Sequence, residues 1–195
     1  MAIHDSTSPP VSVAERTARD LSLIARVMER AAGFPAVSPG GWIAMGLIGA
    51  GLGPLANRLD RPESWLAGWL SIAALAVAVG LGATLRTARA QGFQVWSRPG
   101  GFWFQLATPL AVGLVLTLLW SVRGRWELLP GTWLVFYGLG LAAGGSWCRR
   151  SVRGAGLAFL ALGLCAFGWP AAGPALLVLG FGAVHLVTGW TMRRP

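Results

Sequence analysis

Long apolar runs alternate with short polar connections from residue 39 to the end of the chain. Each run approaches the ~20 residues that a helix needs to cross about 30 Å of hydrocarbon, and backbone groups in lipid must be hydrogen-bonded within their own segment. We therefore predict an all-α, polytopic membrane protein in which six transmembrane helices form three hairpins. The predicted helices lie at about 39–57, 62–85, 102–121, 130–148, 152–169 and 173–192.

A more polar segment precedes the apolar runs. Ser12 and Glu15 have the spacing of a capping box, which predicts that a helix begins there. Leu21 and Met28 belong to an apolar stripe with steps of three or four residues, and the charged residues mostly occupy the other face. This segment is too polar to span a membrane. We predict a domain at 1–38, made of a disordered tail and a cytoplasmic amphipathic helix at about 12–32, and a transmembrane domain at 39–195.

The composition agrees with a membrane protein, and the arginines predict its orientation. The chain is 54% hydrophobic and only 12% charged, with a net charge of +9. With six spans, both termini share a side that carries twelve of the 16 basic residues. Because cytoplasmic loops carry the excess of basic residues, we predict a protein of the cell inner (cytoplasmic) membrane with both termini in the cytoplasm. The predicted partner of these arginines is the lipid bilayer and not a nucleic acid.

His185 is the only charged or imidazole side chain well inside a predicted span. An ionisable group in a membrane segment is by default a functional candidate. Gln105, Thr108 and Thr188 have a similar predicted depth, as does Thr84, and we group the first three with His185 as a candidate intramembrane polar site. Two interpretations stay open. A neutral imidazole can join helices through a hydrogen bond, or it can form part of a polar site for a solute.

The sequence contains no recognisable catalytic constellation. P-loop, H-E-x-x-H and C-x-x-C motifs are missing, and all seven acidic residues are expected to lie outside the hydrocarbon, with Glu63 in the first turn of the helix at 62–85, so an acid–base pair inside the bilayer is excluded. Haem between helices usually needs two axial ligands, whereas the other histidine is His4 in the tail. We predict no catalytic residue, no metal site and no cofactor, and we expect a protein that is not an enzyme.

Glycine spacing suggests close contacts between helices. Gly49 and Gly53 form one G-x-x-x-G pair, and Gly140 and Gly144 form another. This spacing lets two helix backbones approach closely. The pattern fits packing inside one bundle, and it also fits an interface with a second copy of the chain or with another membrane protein.

Three stretches resemble an uncharacterised bacterial family of six-helix integral membrane proteins. They read R-V-M-E-R-A-A-G-F-P-A-V at 26–37, G-W-I-A-M-G at 41–46 and F-G-A-V-H-L-V-T-G at 181–189. The last hairpin, with Gly163 and Pro170, also resembles the HdeD-like acid-resistance membrane proteins. The resemblance implies a six-helix membrane fold and brings no functional residues with it.

These features support two functional hypotheses. The first is a non-enzymatic structural, accessory or regulatory subunit that acts through helix–helix and cytoplasmic contacts. The alternative is a small transporter or channel for a neutral or anionic solute, with a polar site near His185 in the inner half of the membrane. A polar cavity that connects Gln105 and His185 to one surface would favour the alternative.

Overall fold

The computed structural model describes Thr17, residues 19–22, Ile24, and residues 38–90, 102–145 and 150–193. These residues contain helices and turns but no strand, which confirms the predicted all-α class. The chain divides into two compact units, Met1–Gly33 and Phe34–Pro195. In the first unit Thr17, residues 19–22 and Ile24 are helical. The rest of the predicted tail and amphipathic helix lies outside the described residues.

The second unit is a succession of helices with short connections. Its elements are α1 (Pro39–Ala56), α2 (Pro62–Ala90), α3 (Phe102–Val122), a 3-10 turn (Trp126–Leu128), α4 (Leu129–Gly144), α5 (Arg150–Gly168), a second 3-10 turn (Pro170–Ala172), α6 (Gly173–Val178), a π-helical segment (Leu179–Val184) and α7 (His185–Thr191).

Local sequence signals explain several helix ends. Ser38 caps α1, because its Oγ accepts a hydrogen bond from the backbone N–H of Gly41 at 3.2 Å. Proline stands in the first turn of α1 and of α4, where its missing N–H leaves no helical hydrogen bond unmade. Gly124 follows α3 with a φ of 67°, a left-handed conformation that glycine adopts without steric cost.

Within the described residues, four helical stretches are long and apolar enough to cross a membrane: Pro62–Ala90, Phe102–Val122, Arg150–Gly168 and Pro170–Thr191. They support the prediction of a membrane protein. Helices α1 and α4 have 18 and 16 residues and are not among these four. At 1.5 Å per residue, α4 covers about 24 Å, which is less than the ~30 Å of a hydrocarbon core.

The last stretch differs from its predicted form. The sequence predicts one α-helix at 173–192, whereas the structure inserts the π-helical segment Leu179–Val184 between α6 and α7. Gly180 and Gly182 lie in this segment, and a Cβ atom on Gly182 would come within 3.1 Å of the Cα of Ala50 in α1. The missing side chain allows the wider π turn to press against α1.

Two closely packed helix pairs form the centre of the second unit. Helix α4 packs along α5, and α1 packs along the π-helical segment and α7. Glycine makes both contacts close. A Cβ on Gly138 of α4 would lie 2.8 Å from the carbonyl oxygen of Gly156 in α5, and one on Gly46 of α1 would lie 2.8 Å from the backbone nitrogen of Leu186 in α7.

The two remaining helices lie outside this centre. Helix α2 packs on α1 and α3 packs on α4, whereas α2 and α3 make little direct contact within the described residues. Contacts of α5 with α6, the π-helical segment and α7 join the two central pairs, and Phe159 of α5 is fully buried there. This arrangement places α7, and therefore His185, in the middle of the unit.

Candidate functional site

His185 lies at the start of α7, directly after the π-helical segment, and only 1% of it is exposed. Its Nε2 atom lies 2.8 Å from the hydroxyl oxygen of Tyr137 in α4. Its Nδ1 atom lies 3.4 Å from the carbonyl oxygen of Gly180, within the π-helical segment. Both ring nitrogens therefore face polar atoms of the same chain.

One tautomer satisfies both contacts. A carbonyl oxygen can only accept, so the proton belongs on Nδ1, which then donates to Gly180. Nε2 is left as an acceptor, and the hydroxyl of Tyr137 donates to it. This arrangement uses a neutral imidazole and needs no carboxylate. It joins α4 to the last helical stretch through side chains.

Aromatic rings surround the imidazole. The ring centroids of Trp42, Tyr137, Phe159 and Phe181 lie 4.9, 5.5, 5.4 and 5.9 Å from that of His185. These rings come from α1, α4, α5 and the π-helical segment. We call these five residues the aromatic cluster. The cluster shields the imidazole from water, which disfavours a charged ring and favours a packed, neutral one.

The other residues of the predicted polar site do not form hydrogen bonds with His185 in the structure. Thr188 is buried near His185 in α7, but its hydroxyl donates to the carbonyl of Val184 at 2.6 Å. Thr108 is exposed on α3 and donates to Phe104 of its own helix at 3.0 Å. Gln105 is half-buried on α3, which packs on α4 and not on α7. The hydrogen bonds of His185 thus go to Tyr137 and Gly180, and not to Gln105 or Thr108.

The four glycines of the G-x-x-x-G pairs all face other helices of the same chain. A Cβ on Gly49 would lie 2.5 Å from the carbonyl oxygen of Phe181, and one on Gly53 would lie 3.0 Å from Trp69. Helix α4 approaches α3 in a similar way, since a Cβ on Gly140 or Gly144 would come within 3.0 Å of Leu106 or Phe102, respectively.

Tyr137 is the main residue that the sequence interpretation leaves out. It is the only tyrosine of the chain, and it lies inside an apolar run although tyrosine in membrane proteins prefers the interface. That unusual depth is the signal that could have identified it. The residue that pairs with it cannot be read from depth alone, because the rotation of each helix about its axis also decides which side chains meet.

Asn57 forms a second polar cluster, at the end of α1. Its Oδ1 accepts hydrogen bonds from the indole N–H groups of Trp65 at 3.1 Å and Trp69 at 3.0 Å, and its Nδ2 donates to the carbonyl of Pro174 at 2.9 Å. One amide thereby joins α1, α2 and α6. These hydrogen bonds form a structural link between three helices.

Two cavities border the aromatic cluster from the side of α2. A narrow groove of about 70 Å³ reaches His185 between α2 and Trp133, and its other lining residues are apolar or tryptophan. A larger opening of about 280 Å³ lies between α2 and α3, with Tyr137 on its lining. We call it the α2–α3 cleft. Neither Gln105 nor Thr108 lines either cavity, so neither cavity is the polar connection from Gln105 and His185 to a surface that would favour the transporter hypothesis.

The chemistry of the site is that of a hydrogen-bonded pair in an apolar setting. Among the described residues, no group of three His, Cys, Asp or Glu side chains is arranged to hold a metal ion. The hydrogen bond between Tyr137 and His185 keeps its proton in one position and links two helices, and the surrounding aromatic rings pack against the pair.

Comparisons with protein-family models, curated proteins and solved structures found no match to the chain.

Proposed function

We propose that the protein is a non-enzymatic integral membrane protein, a structural, accessory or regulatory subunit that acts through helix–helix and cytoplasmic contacts. The observation that carries the proposal is the pairing of both ring nitrogens of His185 inside the chain, at 2.8 Å from Tyr137 and 3.4 Å from Gly180. A histidine that bound a solute directly would need a ring nitrogen free to face that solute.

Other buried hydroxyl groups support the same conclusion. Thr117, Thr132 and Thr188 each donate to the carbonyl group of the residue four positions earlier in the chain. Hydroxyls bonded in this way do not form a polar path between helices. The groove that reaches His185 is apolar, so it offers no row of polar groups to replace the hydration shell of a solute.

The proposal includes a topology. Six helical stretches follow residue 38, and we propose that each crosses the inner membrane, with α1 and α4 as the short spans and both termini in the cytoplasm. A span shorter than the hydrocarbon is accommodated by local thinning of the bilayer or by flanking residues that reach the interface. The distribution of arginines supports this orientation.

Cysteine accessibility separates this function from the transporter alternative. Thr188→Cys, in a chain whose Cys148 and Cys165 are replaced by serine, places a thiol one turn from His185. We expect a charged, membrane-impermeant methanethiosulfonate to leave this thiol unmodified from both sides of intact membranes, and to modify it after denaturation. Arg123→Cys in the same background is the control for reactivity, because Arg123 is exposed in the turn after α3.

Modification of Thr188→Cys from either side would reveal an aqueous path and would favour the transporter or channel.

A protein that acts through contacts with other chains should also remain bound to a partner when it is purified. After extraction in a mild detergent, light scattering should give a protein mass larger than that of one chain. A monomer with nothing attached would contradict the proposal even if Thr188→Cys is protected.

A further inference from the structure

The hydrogen bonds of His185 leave no place for a second ring proton. The carbonyl oxygen of Gly180 can only accept, so Nδ1 keeps its proton and donates. Nε2 then accepts from the hydroxyl of Tyr137, 2.8 Å away. If Nε2 were protonated as well, the hydroxyl proton of Tyr137 would have to turn away from His185. The side-chain contact between α4 and α7 therefore depends on a singly protonated imidazole.

Within the described residues, no opposite charge faces the imidazole to compensate a second proton. Helices α1, α4, α6 and α7 and the π-helical segment contain no Asp, Glu, Lys or Arg. The charged residues of α2 and α5 are exposed: Glu63, Arg86, Arg89, Arg150 and Arg153. The titratable group that contacts His185 is the phenol of Tyr137, which ordinarily loses its proton only near pH 10. A second proton would thus create a buried charge without a counter-charge, which is costly.

The last helical stretch, from α6 to α7, has another side-chain link at its other end. Nδ2 of Asn57 in α1 donates to the carbonyl of Pro174 in α6 at 2.9 Å. A carboxamide does not titrate, so this link is the same at neutral and at acidic pH. Of these two links, acid can therefore break only the one that contains His185.

We propose that the hydrogen bond between Tyr137 and His185 is an acid-sensitive link that holds the last helical stretch to α4. When these helices separate, the imidazole meets water and takes up a second proton as the pH falls through the ordinary imidazole range, about 6.5. The separated state then binds more protons than the closed one, so acid favours separation and a rise in pH restores the contact. This link needs neither a partner chain nor a particular number of membrane crossings, so it goes beyond the proposed function and is tested separately from it.

Equilibrium unfolding of the full-length protein in mixed detergent micelles, at pH 7.5 and at pH 5.5, measures this coupling. His4→Ala, which leaves His185 as the only histidine, serves as the parent chain. Uptake of one proton by the separated state alone should raise the equilibrium constant for unfolding about 10-fold between the two pH values. His185→Gln in this parent has a similar acceptor and donor on a side chain that does not titrate, so its equilibrium constant should change less than about 2-fold.

Asn57→Ala in the same parent is the control for loss of a link without a titratable group. It should unfold more readily than the parent at both pH values, because two indole N–H groups lose their acceptor. The ratio of its two equilibrium constants should stay at about 10, since His185 is unchanged.

Nitrogen-15 NMR of labelled histidine in the folded parent chain tests the same proposal without a substitution at His185. We expect signals of one protonated and one unprotonated ring nitrogen, unchanged from pH 7.5 to pH 5.5. Titration of these signals in the folded chain within this range would overturn the proposal. An equal pH dependence of unfolding in the parent and in His185→Gln would overturn it as well, and if His185→Gln does not fold, a parent whose unfolding is independent of pH would do so.

Discussion

At the level of single residues, the hydrogen bond between Tyr137 and His185 is expected to contribute to the stability of the protein. Both side chains are at least nine-tenths buried, and the bond length is 2.8 Å. In a protein interior an unmade hydrogen bond costs more than a formed one contributes, because the abandoned polar atom has no water to replace its partner. Removal of one partner should therefore destabilise the aromatic cluster as a whole.

Tyr137→Phe tests this expectation. It keeps the ring but leaves Nε2 of His185 without a donor, so we expect the free energy of unfolding to fall by about 1–3 kcal/mol. Thr108→Val is the control for loss of a hydroxyl, because Thr108 is exposed and bonded within its own helix, and it should change stability by less than about 0.5 kcal/mol. Unfolding in mixed detergent micelles, followed by circular dichroism, measures both. Equal effects of the two variants would contradict the structural role of the pair.

The turn between α3 and α4 makes a prediction about pH. The hydrogen bond from Nε of Arg125 to Oε1 of Glu127, at 2.6 Å, lowers the pKa of the Glu127 carboxyl. Since folding lowers this pKa, the stability that the pair contributes is present above the unfolded pKa and is lost as pH falls through the folded pKa. Both side chains are exposed, so the effect on overall stability is small.

Arg125→Gln should raise the pKa of Glu127 back toward its usual value. Carbon-13 NMR of labelled glutamate during an acid titration follows this carboxyl directly. If the pKa of Glu127 is the same in the natural chain and in the variant, the hydrogen bond is not formed in solution.

At the level of elements, glycine decides how closely the helices of the centre approach. Gly49 faces the backbone of Phe181, which cannot move aside as a flexible side chain could. Gly51, two residues later in the same helix, has nothing within 4 Å of the position of a Cβ atom. Gly49 therefore permits a close contact between two helical segments, whereas Gly51 lies at an open position of the same helix.

Substitution by alanine distinguishes the two positions. Gly49→Ala should destabilise the protein by about 1–3 kcal/mol, because the added methyl group forces α1 away from the π-helical segment. Gly51→Ala should be neutral or stabilising by up to about 1 kcal/mol, since alanine favours helix over glycine. The same unfolding measurement applies. Similar losses in both variants would mean that the close approach of α1 is not what Gly49 provides.

The sequence predicts the elements better than it predicts their contacts. Helix α1 is expected at 39–57 and observed at Pro39–Ala56, because apolar length and a proline in the first turn are properties of the chain itself. The π-helical segment is not predicted, since its wide turn depends on packing against α1. The partner of His185 is not predicted either, because helical rotation and not depth brings Tyr137 to it.

At the level of the whole molecule, the number of membrane crossings determines on which side of the membrane each connection between helices lies. In the part of the chain that the structure describes, four helical stretches have the length and composition of a span, and α1 and α4 fall outside that group. In the topology that we propose, all six cross, so the α3–α4 turn and the start of α5 lie on opposite sides of the membrane. If α4 did not cross, these two positions would lie on the same side.

Labelling of full-length single-cysteine variants distinguishes the two topologies most directly. Arg123→Cys reports on the α3–α4 turn and Arg150→Cys on the start of α5, both at exposed positions in a chain without Cys148 and Cys165. With a membrane-impermeant maleimide on intact cells, we predict labelling of Arg123→Cys at once and of Arg150→Cys only after the membrane is opened. Labelling of both, or of neither, before the membrane is opened would contradict a protein that crosses the membrane six times.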